Sequence, residues 1–430
     1  MTYHNAIKYI KSAPVAIAED TPFERIRLLL GELCEPQRRI RHLRLAGSNG
    51  KSLCGEMLTS VLRHTNVRTG LLSMPVREDV RSSIRIDGDA LSMDELVLYT
   101  EQVAKAVLQI RAHQSAEADS AESVPSPAPF TPTGSEILLA VALLAFEKKS
   151  CDLVIIESDH ETSDPSRFLP SPIAAVVCGT IPHGDRAQIA RIRSYITRGV
   201  QEIVSAPQNP EAHRYLSDTC ASVNCRLTLP KAHALRIDRL TLRKTEFSYQ
   251  DVSYTLNLCG RFQVINAVVV LESVAMLTRR GYEIPQEAVQ KGFSSLHIPA
   301  KFELVSSMPY IIVDSTHTPE AIEAVSDAMA EFRPVTGNRI RICLPSGDLP
   351  EQYLRALEDR GYTVEKIVIL GQEDETLPSL PCPCVYAKTA KSASRLCLAE
   401  LGSDGFLLIS GTHGFAEQIR YELLQSLGFS

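Results

Sequence analysis

A chain of 430 residues exceeds what one hydrophobic core ordinarily serves, so two domains are expected. With 44% hydrophobic and 22% charged residues and a net charge of -6, it has the makeup of a globular protein without the basic excess that points to nucleic acid. Eleven cysteines are scattered without zinc spacing, Cys382 and Cys384 included, and read as reduced thiols of a cytoplasmic protein. No signal-peptide pattern opens the chain, and no uninterrupted apolar run approaches the length of a membrane span.

In chain order, the first strong element is a short buried strand, Leu43 to Ala46. It runs into Gly47-Ser48-Asn49-Gly50-Lys51-Ser52, after which Leu53, Met57, Leu58, Val61 and Leu62 recur at helical spacing. A strand, a glycine-bearing turn and a helix N-terminus make an anion site, though G-x-x-G-K-S is shorter than the usual phosphate loop and reads equally as an ordinary strand-turn-helix corner. Gly47 and Gly50 allow close backbone approach, Lys51 adds a point charge, and the Ser52 hydroxyl is placed to meet Mg²⁺. The stretch from about 112 to 134, polar and then rich in proline, reads as a surface excursion. Further strands are expected at Asp152 to Glu157, Ile173 to Cys178 and Glu202 to Ser205. Alternation from Leu227 to Tyr254 suggests a small antiparallel piece closing the first domain. The pattern restarts after Pro299, with strands at Tyr310 to Asp314, Arg339 to Leu344, Lys366 to Leu370 and Gly405 to Ser410. The expected fold is α/β: a doubly wound, mostly parallel sheet with a P-loop-type nucleotide site over residues 1–297, and a smaller C-terminal α/β domain over 298–430. Ligands of open α/β sheets gather at the carboxyl ends of strands, where Glu157, His183 and Asp314 stand. For any single acid, a solvated strand end is the commoner reading, and His183 alone reads as a loop histidine.

The order of these motifs resembles the folylpolyglutamate and dihydrofolate synthases of the Mur ligase superfamily. The resemblance rests on the Tyr3 to Ile10 opening, the Arg25 to Gln37 helix, the Gly47 to Ser52 loop, Gly70 to Pro75, Ile84 to Gly88, Thr133 to Phe146 with Glu157, Ile189-Ala190 with Ala206-Pro207-Gln208, Gly260 to Ala267 and Asp314 to Pro319. It implies an ATP-dependent ligase: a folate-type carboxylate attacks the γ-phosphate of ATP, and the amino group of glutamate then displaces phosphate from the acyl phosphate. The carried-over roles give ATP contacts to Gly47, Ser48, Asn49, Gly50, Lys51, Ser52, Asn266, Lys301, Asp314 and His317. Ser52 and Glu157 would hold a first Mg²⁺, and His183 would face a second. Domain closure would complete the site. A monomer acting on small molecules, without nucleic acid or membrane, is the matching expectation.

The departures fall at the metal site. Met74 and Val76 stand where the family has serine and histidine, and a thioether is a poor ligand for a hard cation. Leu53 follows Ser52 as in the peptidoglycan branch, Ser158 to Thr162 replace a glycine-rich stretch, and Pro182 precedes His183. Arg193 stands where the superfamily carbamylates a lysine; a guanidinium does not readily carry that carbamate but offers a fixed cation to phosphate. Two alternatives follow: the same chemistry on another acid, or a non-catalytic nucleotide-binding paralogue.

Overall fold

The computed structural model describes residues 1–15, 23–47, 49–74, 79–120, 129–157, 164–196, 199–315, 318–347, 350–371 and 380–428, the last four of the 93–120 helix by backbone alone. Two compact units emerge, one from residues 1–231 with 266–292 and the other from 232–265 with 293–430.

The first unit is built on eight strands: β1 (His42–Gly47), β2 (Thr69–Leu72), β3 (Ile84–Ile86), β4 (Asp89–Ala90), β5 (Leu153–Glu157), β6 (Ala174–Cys178), β7 (Glu202–Ser205) and β8 (Arg226–Thr228). Their spatial order is β4-β3-β2-β5-β1-β6-β7-β8, parallel except at the β2-β3-β4 edge. The runs Leu153-Val154-Ile155-Ile156 and Ala174 to Cys178 are apolar without alternation because helices cover both faces of a parallel sheet. One cover is the Gly134–Lys148 helix, opened by a reciprocal Thr133–Glu136 capping box and buried from Ile137 to Phe146. The chain winds outward from β1 through β2, returns by β5, and continues on the other side with β6. The carboxyl end of β1 is therefore a topological switch point, where an open sheet offers a crevice.

The excursion expected from 112 is shorter than its composition suggests. The Met93–Ser120 helix continues through its polar stretch, Phe130 is buried, and Gln114 Oε1 accepts the Phe130 N–H at 3.1 Å. Alanine and glutamate favour helix even where no core is covered. Residues 121–128 lie outside the described set.

The second unit carries an antiparallel sheet, β9 (Leu235–Leu240), β10 (Thr245–Tyr249) and β11 (Val252–Leu256), as its alternation foretold. Gln250 and Asp251, both at positive φ, make the two-residue β10-β11 turn. This sheet joins the C-terminal unit instead of closing the first. Phe247 stacks on Tyr254 with centroids 5.4 Å apart, both meet Phe293, and Leu240 and Leu242 pack on the core of the C-terminal sheet. The compact units thus part differently from the expected division at 297/298. That C-terminal sheet comprises β12 (Glu303–Ser307), β13 (Tyr310–Asp314), β14 (Arg339–Pro345), β15 (Thr363–Leu370), β16 (Cys384–Ala387) and β17 (Phe406–Ser410), in the order β12-β13-β17-β14-β15-β16. Only β12-β13 is antiparallel.

Among the described residues one helix, Arg261–Arg279, is long and apolar enough to cross a membrane by length and composition; Gln263, Asn266 and Glu272 interrupt it, and 67% of its apolar window is buried inside the protein, as in a core helix.

Burial of His42 at the start of β1 gives stability a pH dependence. Desolvation, aided by the neighbouring Arg44 charge, pushes its pKa from the ordinary 6.5 down to about 3. In the unfolded chain it takes up a proton near pH 6.5 while the folded form stays neutral, so stability falls as pH drops through that window. Its share is about 2 to 3 kcal/mol by pH 4.5. Urea unfolding at pH 7 and 4.5 should show a smaller loss for His42→Leu than for the parent; equal losses would refute the assignment.

Candidate active site at the carboxyl end of the central strands

The turn after β1 is shaped by contacts that leave no room for side chains. Gly47 has φ +119°, and a side-chain carbon there would fall 2.1 Å from the Cys178 carbonyl oxygen at the end of β6. Gly50 has φ +84°, and the same atom would lie 2.6 Å from Asn266 Oδ1. The loop is thereby clamped between the end of β6 and the side chain of Asn266, and Gly50 hands the chain to the Lys51–Leu62 helix. That helix opens on Gly50 with no side-chain cap hydrogen bond.

Lys51 is buried, 4% exposed, and its Nζ donates to the Gly47 carbonyl at 2.6 Å, folding its charge back over the loop. One residue on, Ser52 Oγ donates to Glu157 Oε2 at 3.0 Å. Glu157 closes β5, the strand beside β1, and is itself buried. Two hard oxygen groups, a buried cation and a glycine turn thus meet at the switch point. This is the donor chemistry that Mg²⁺ and polyphosphate take, so the residues present fit both.

No protein-family model matches the chain. Among curated proteins it is 25% identical to the "Probable bifunctional folylpolyglutamate synthase/dihydropteroate synthase" of Haloferax volcanii over 77% of this chain. It spans 39% of that relative's length. With the folylpolyglutamate synthase of Lacticaseibacillus casei it shares 21% identity, and the match covers 99% of each. A solved structure titled "FPGS-AMPPCP-folate complex" superposes with a TM-score of 0.77 at 19% identity, covering 99% of this chain and 100% of that one. The chain is similar over nearly its full length to folylpolyglutamate and dihydrofolate synthases.

The other residues that the resemblance anticipates are placed as follows. Asn266 lies on the Arg261–Arg279 helix against Gly50, beside the loop. Asp314, at the end of β13, is buried and accepts the Phe302 N–H at 2.7 Å. Lys301 lines a cavity of about 190 Å³ in the second unit together with Arg243, Asn257, His297 and Glu303. Ser48, Val76 and His317 lie outside the described residues, as does the 158–163 segment.

The second metal position is less well furnished. His183 stands 84% exposed with Nε2 3.6 Å from Glu211 Oε2, and Arg193 is exposed on the Arg186–Tyr195 helix. Met74 is buried in the apolar core. Among the described residues no three of His, Cys, Asp and Glu converge.

Two features had weaker signals. Cys178 and Gly179 form the floor of the loop through backbone atoms, which side-chain chemistry cannot announce; a Gly179 side chain would lie 2.7 Å from the Asn49 carbonyl. Arg44 is a fully buried guanidinium that donates to the Ser166 carbonyl and lies 4.5 Å from the Tyr195 ring centroid, while the Tyr195 hydroxyl donates to Asp164 Oδ2 at 3.0 Å. A charge at the centre of an otherwise apolar strand was its available sign.

Proposed function

We propose that this protein is a cytoplasmic, monomeric ATP-dependent ligase that joins glutamate to a folate-type carboxylate through an acyl phosphate. The observation that carries this reading is the Ser52–Glu157 contact beside a glycine-clamped loop whose lysine is buried. It is supported by similarity to a folylpolyglutamate synthase across nearly the full chain.

A carboxylate oxygen of the acid attacks the γ-phosphorus, and ADP leaves. The glutamate amine then attacks the acyl carbon, inorganic phosphate leaves, and an amide remains. The chain's work is to position reactants and neutralise charge. Backbone N–H groups of Gly47 to Ser52 would cradle the phosphates, and Lys51 would supply positive charge where negative charge moves to the leaving oxygen. Ser52 and Glu157 would hold Mg²⁺, which when bound neutralises phosphate charge. Asn266 is assigned to the nucleotide, with Lys301, Asp314 and His317 as further nucleotide contacts. For His183 and Arg193 we keep the expected roles, a second metal and a phosphate-facing cation, as proposals. Residues 1–297 would carry the ATP-binding part and 298–430 the smaller ligase part.

The test is ADP release from Mg·ATP with and without tetrahydrofolate and glutamate, with hydroxylamine present in a parallel sample. Release requiring both co-substrates, and a hydroxamate formed when glutamate is omitted, is the expected result. ATP binding without turnover on any folate would refute the folate ligase and favour another acid or a binding protein.

A further inference from the structure

The Pro210–Ser222 helix, which leads into the edge strand β8, ends in a turn that brings two cysteines together. Asn224, at φ 55°, takes the left-handed position just past the helix, where asparagine is tolerated beside the more usual glycine. The Asn224 N–H donates to the Ala221 carbonyl at 3.3 Å, and the Cys225 N–H to the Cys220 carbonyl at 2.8 Å. This pair of bonds is the Schellman motif. It sets the side chain two residues past the cap against the one three residues before it, and that contact is ordinarily apolar. Here the two side chains are Cys225 and Cys220, and their thiols are hydrogen-bonded to each other. With ordinary bond lengths, the 2.8 Å backbone contact caps the separation of their α-carbons at about 6.7 Å. A disulfide spans about 4.4 to 6.8 Å, so the backbone already stands within bridging range.

The two sulfurs are not equivalent. Cys220, 2% exposed, donates its proton to its partner, and that bond together with burial holds its thiol above the ordinary value. Cys225, 9% exposed, receives the bond, which lowers its thiol against the opposing effects of burial and Glu202; the Arg280 charge also favours the thiolate. Ala221, Ser222 and Asn224, which join the two cysteines, are exposed, so the pair lies just beneath the surface. A thiolate beside a second thiol is the arrangement of an attacking and a resolving sulfur. Two other thiol pairs in the chain also touch, Cys54 with Cys178 and Cys343 with Cys397. Those four residues are at most 1% exposed and stand within the two cores.

We propose that Cys220 and Cys225 form a redox-active dithiol at this helix end, which a hydroperoxide converts to a reversible intramolecular disulfide. The Cys225 sulfur attacks a peroxide oxygen: an S–O bond forms, the O–O bond breaks, and the leaving oxygen takes a proton and departs as water or an alcohol. The Cys220 sulfur then attacks the sulfenic sulfur, an S–S bond forms, the S–O bond breaks, and water leaves with the Cys220 proton. The two thiols together lose two electrons, which the peroxide gains, and a small dithiol reverses the change. Nothing in this depends on the ligase reading.

Cleavage after Arg214 and Arg226 places both cysteines in one tryptic peptide, residues 215–226. The reduced full chain, exposed at pH 7 to a small molar excess of hydrogen peroxide and then alkylated, should yield that peptide unalkylated and lighter by two hydrogens. It should form about tenfold faster than any bridge at the two core pairs, as their burial requires, and dithiothreitol should restore both thiols. In Cys220→Ser the resolving sulfur is gone, and dimedone should trap a sulfenic acid on Cys225; Cys225→Ser should leave Cys220 unreacted at the same dose. A comparison on the parent alone serves if either variant folds poorly: bridging should slow about tenfold in urea, where the helix end no longer aligns the sulfurs. Two freely alkylated thiols after peroxide, or bridging as fast in urea as in the native chain, would reduce the pair to an ordinary apolar contact at a helix end and overturn the proposal.

Discussion

Lys51→Ala should lower ADP formation by about two to three orders of magnitude, the scale for removing a preorganised charge from a phosphoryl-transfer site. The ammonium is 4% exposed and already anchored on the Gly47 carbonyl, so a bound phosphate meets a cation that needs no reorganisation. Lys51→Arg should rescue little, since a planar guanidinium cannot occupy a pocket shaped around one nitrogen 2.6 Å from a carbonyl oxygen. Steady-state ADP release together with Mg·ATP affinity checks both variants, and a thermal melt shows whether each has folded. Turnover of Lys51→Ala within tenfold of the parent would remove the loop from the mechanism.

Glu157→Gln should raise the Mg²⁺ concentration for half-maximal ADP release by about a hundredfold, with partial recovery at high Mg²⁺, because a hard cation loses an anionic oxygen for a neutral one. The amide keeps the side chain's size and leaves an oxygen to accept from Ser52 Oγ, so packing at the end of β5 should survive. Ser52→Ala should act in the same direction but less, since a hydroxyl carries no charge. A Mg²⁺ titration at fixed ATP reads all three proteins. An unchanged midpoint for Glu157→Gln would show that the metal is held elsewhere.

The central strands were legible because β5, β6, β13 and β17 carry uninterrupted apolar runs, as burial on both faces requires, and because β1, β7, β14 and β15 are otherwise apolar around charges such as Arg44, Glu202, Arg341 and Lys366. The edge strands β3, β4, β8, β12 and β16 were not, because they are short, partly exposed and mixed in polarity. Phe247, Tyr249, Val252 and Tyr254 alternate clearly enough to reveal the antiparallel sheet, yet nothing in that alternation says which unit its aromatic face will join; Phe293, nearly forty residues beyond Tyr254, decides that. At the site, strand-end position made Glu157 a candidate and motif order made Asn266 one; the first meets Ser52 and the second lies against Gly50. His183 drew its metal role from the resemblance alone; by position it read as a loop histidine, and it stands 84% exposed beside Glu211.

The thiol of Cys54 offers a clock for the loop above it. It lies 3.9 Å from the Asn266 carbonyl, and a hydrogen bond with Cys178, burial and the nearby Glu157 charge all raise its pKa well above the ordinary thiol value. Alkylating reagents attack the thiolate, so labelling in the native state has to wait for the helix start to open. The labelling rate of this one sulfur therefore counts openings of the phosphate loop, and a bound nucleotide that closes the loop would slow the count.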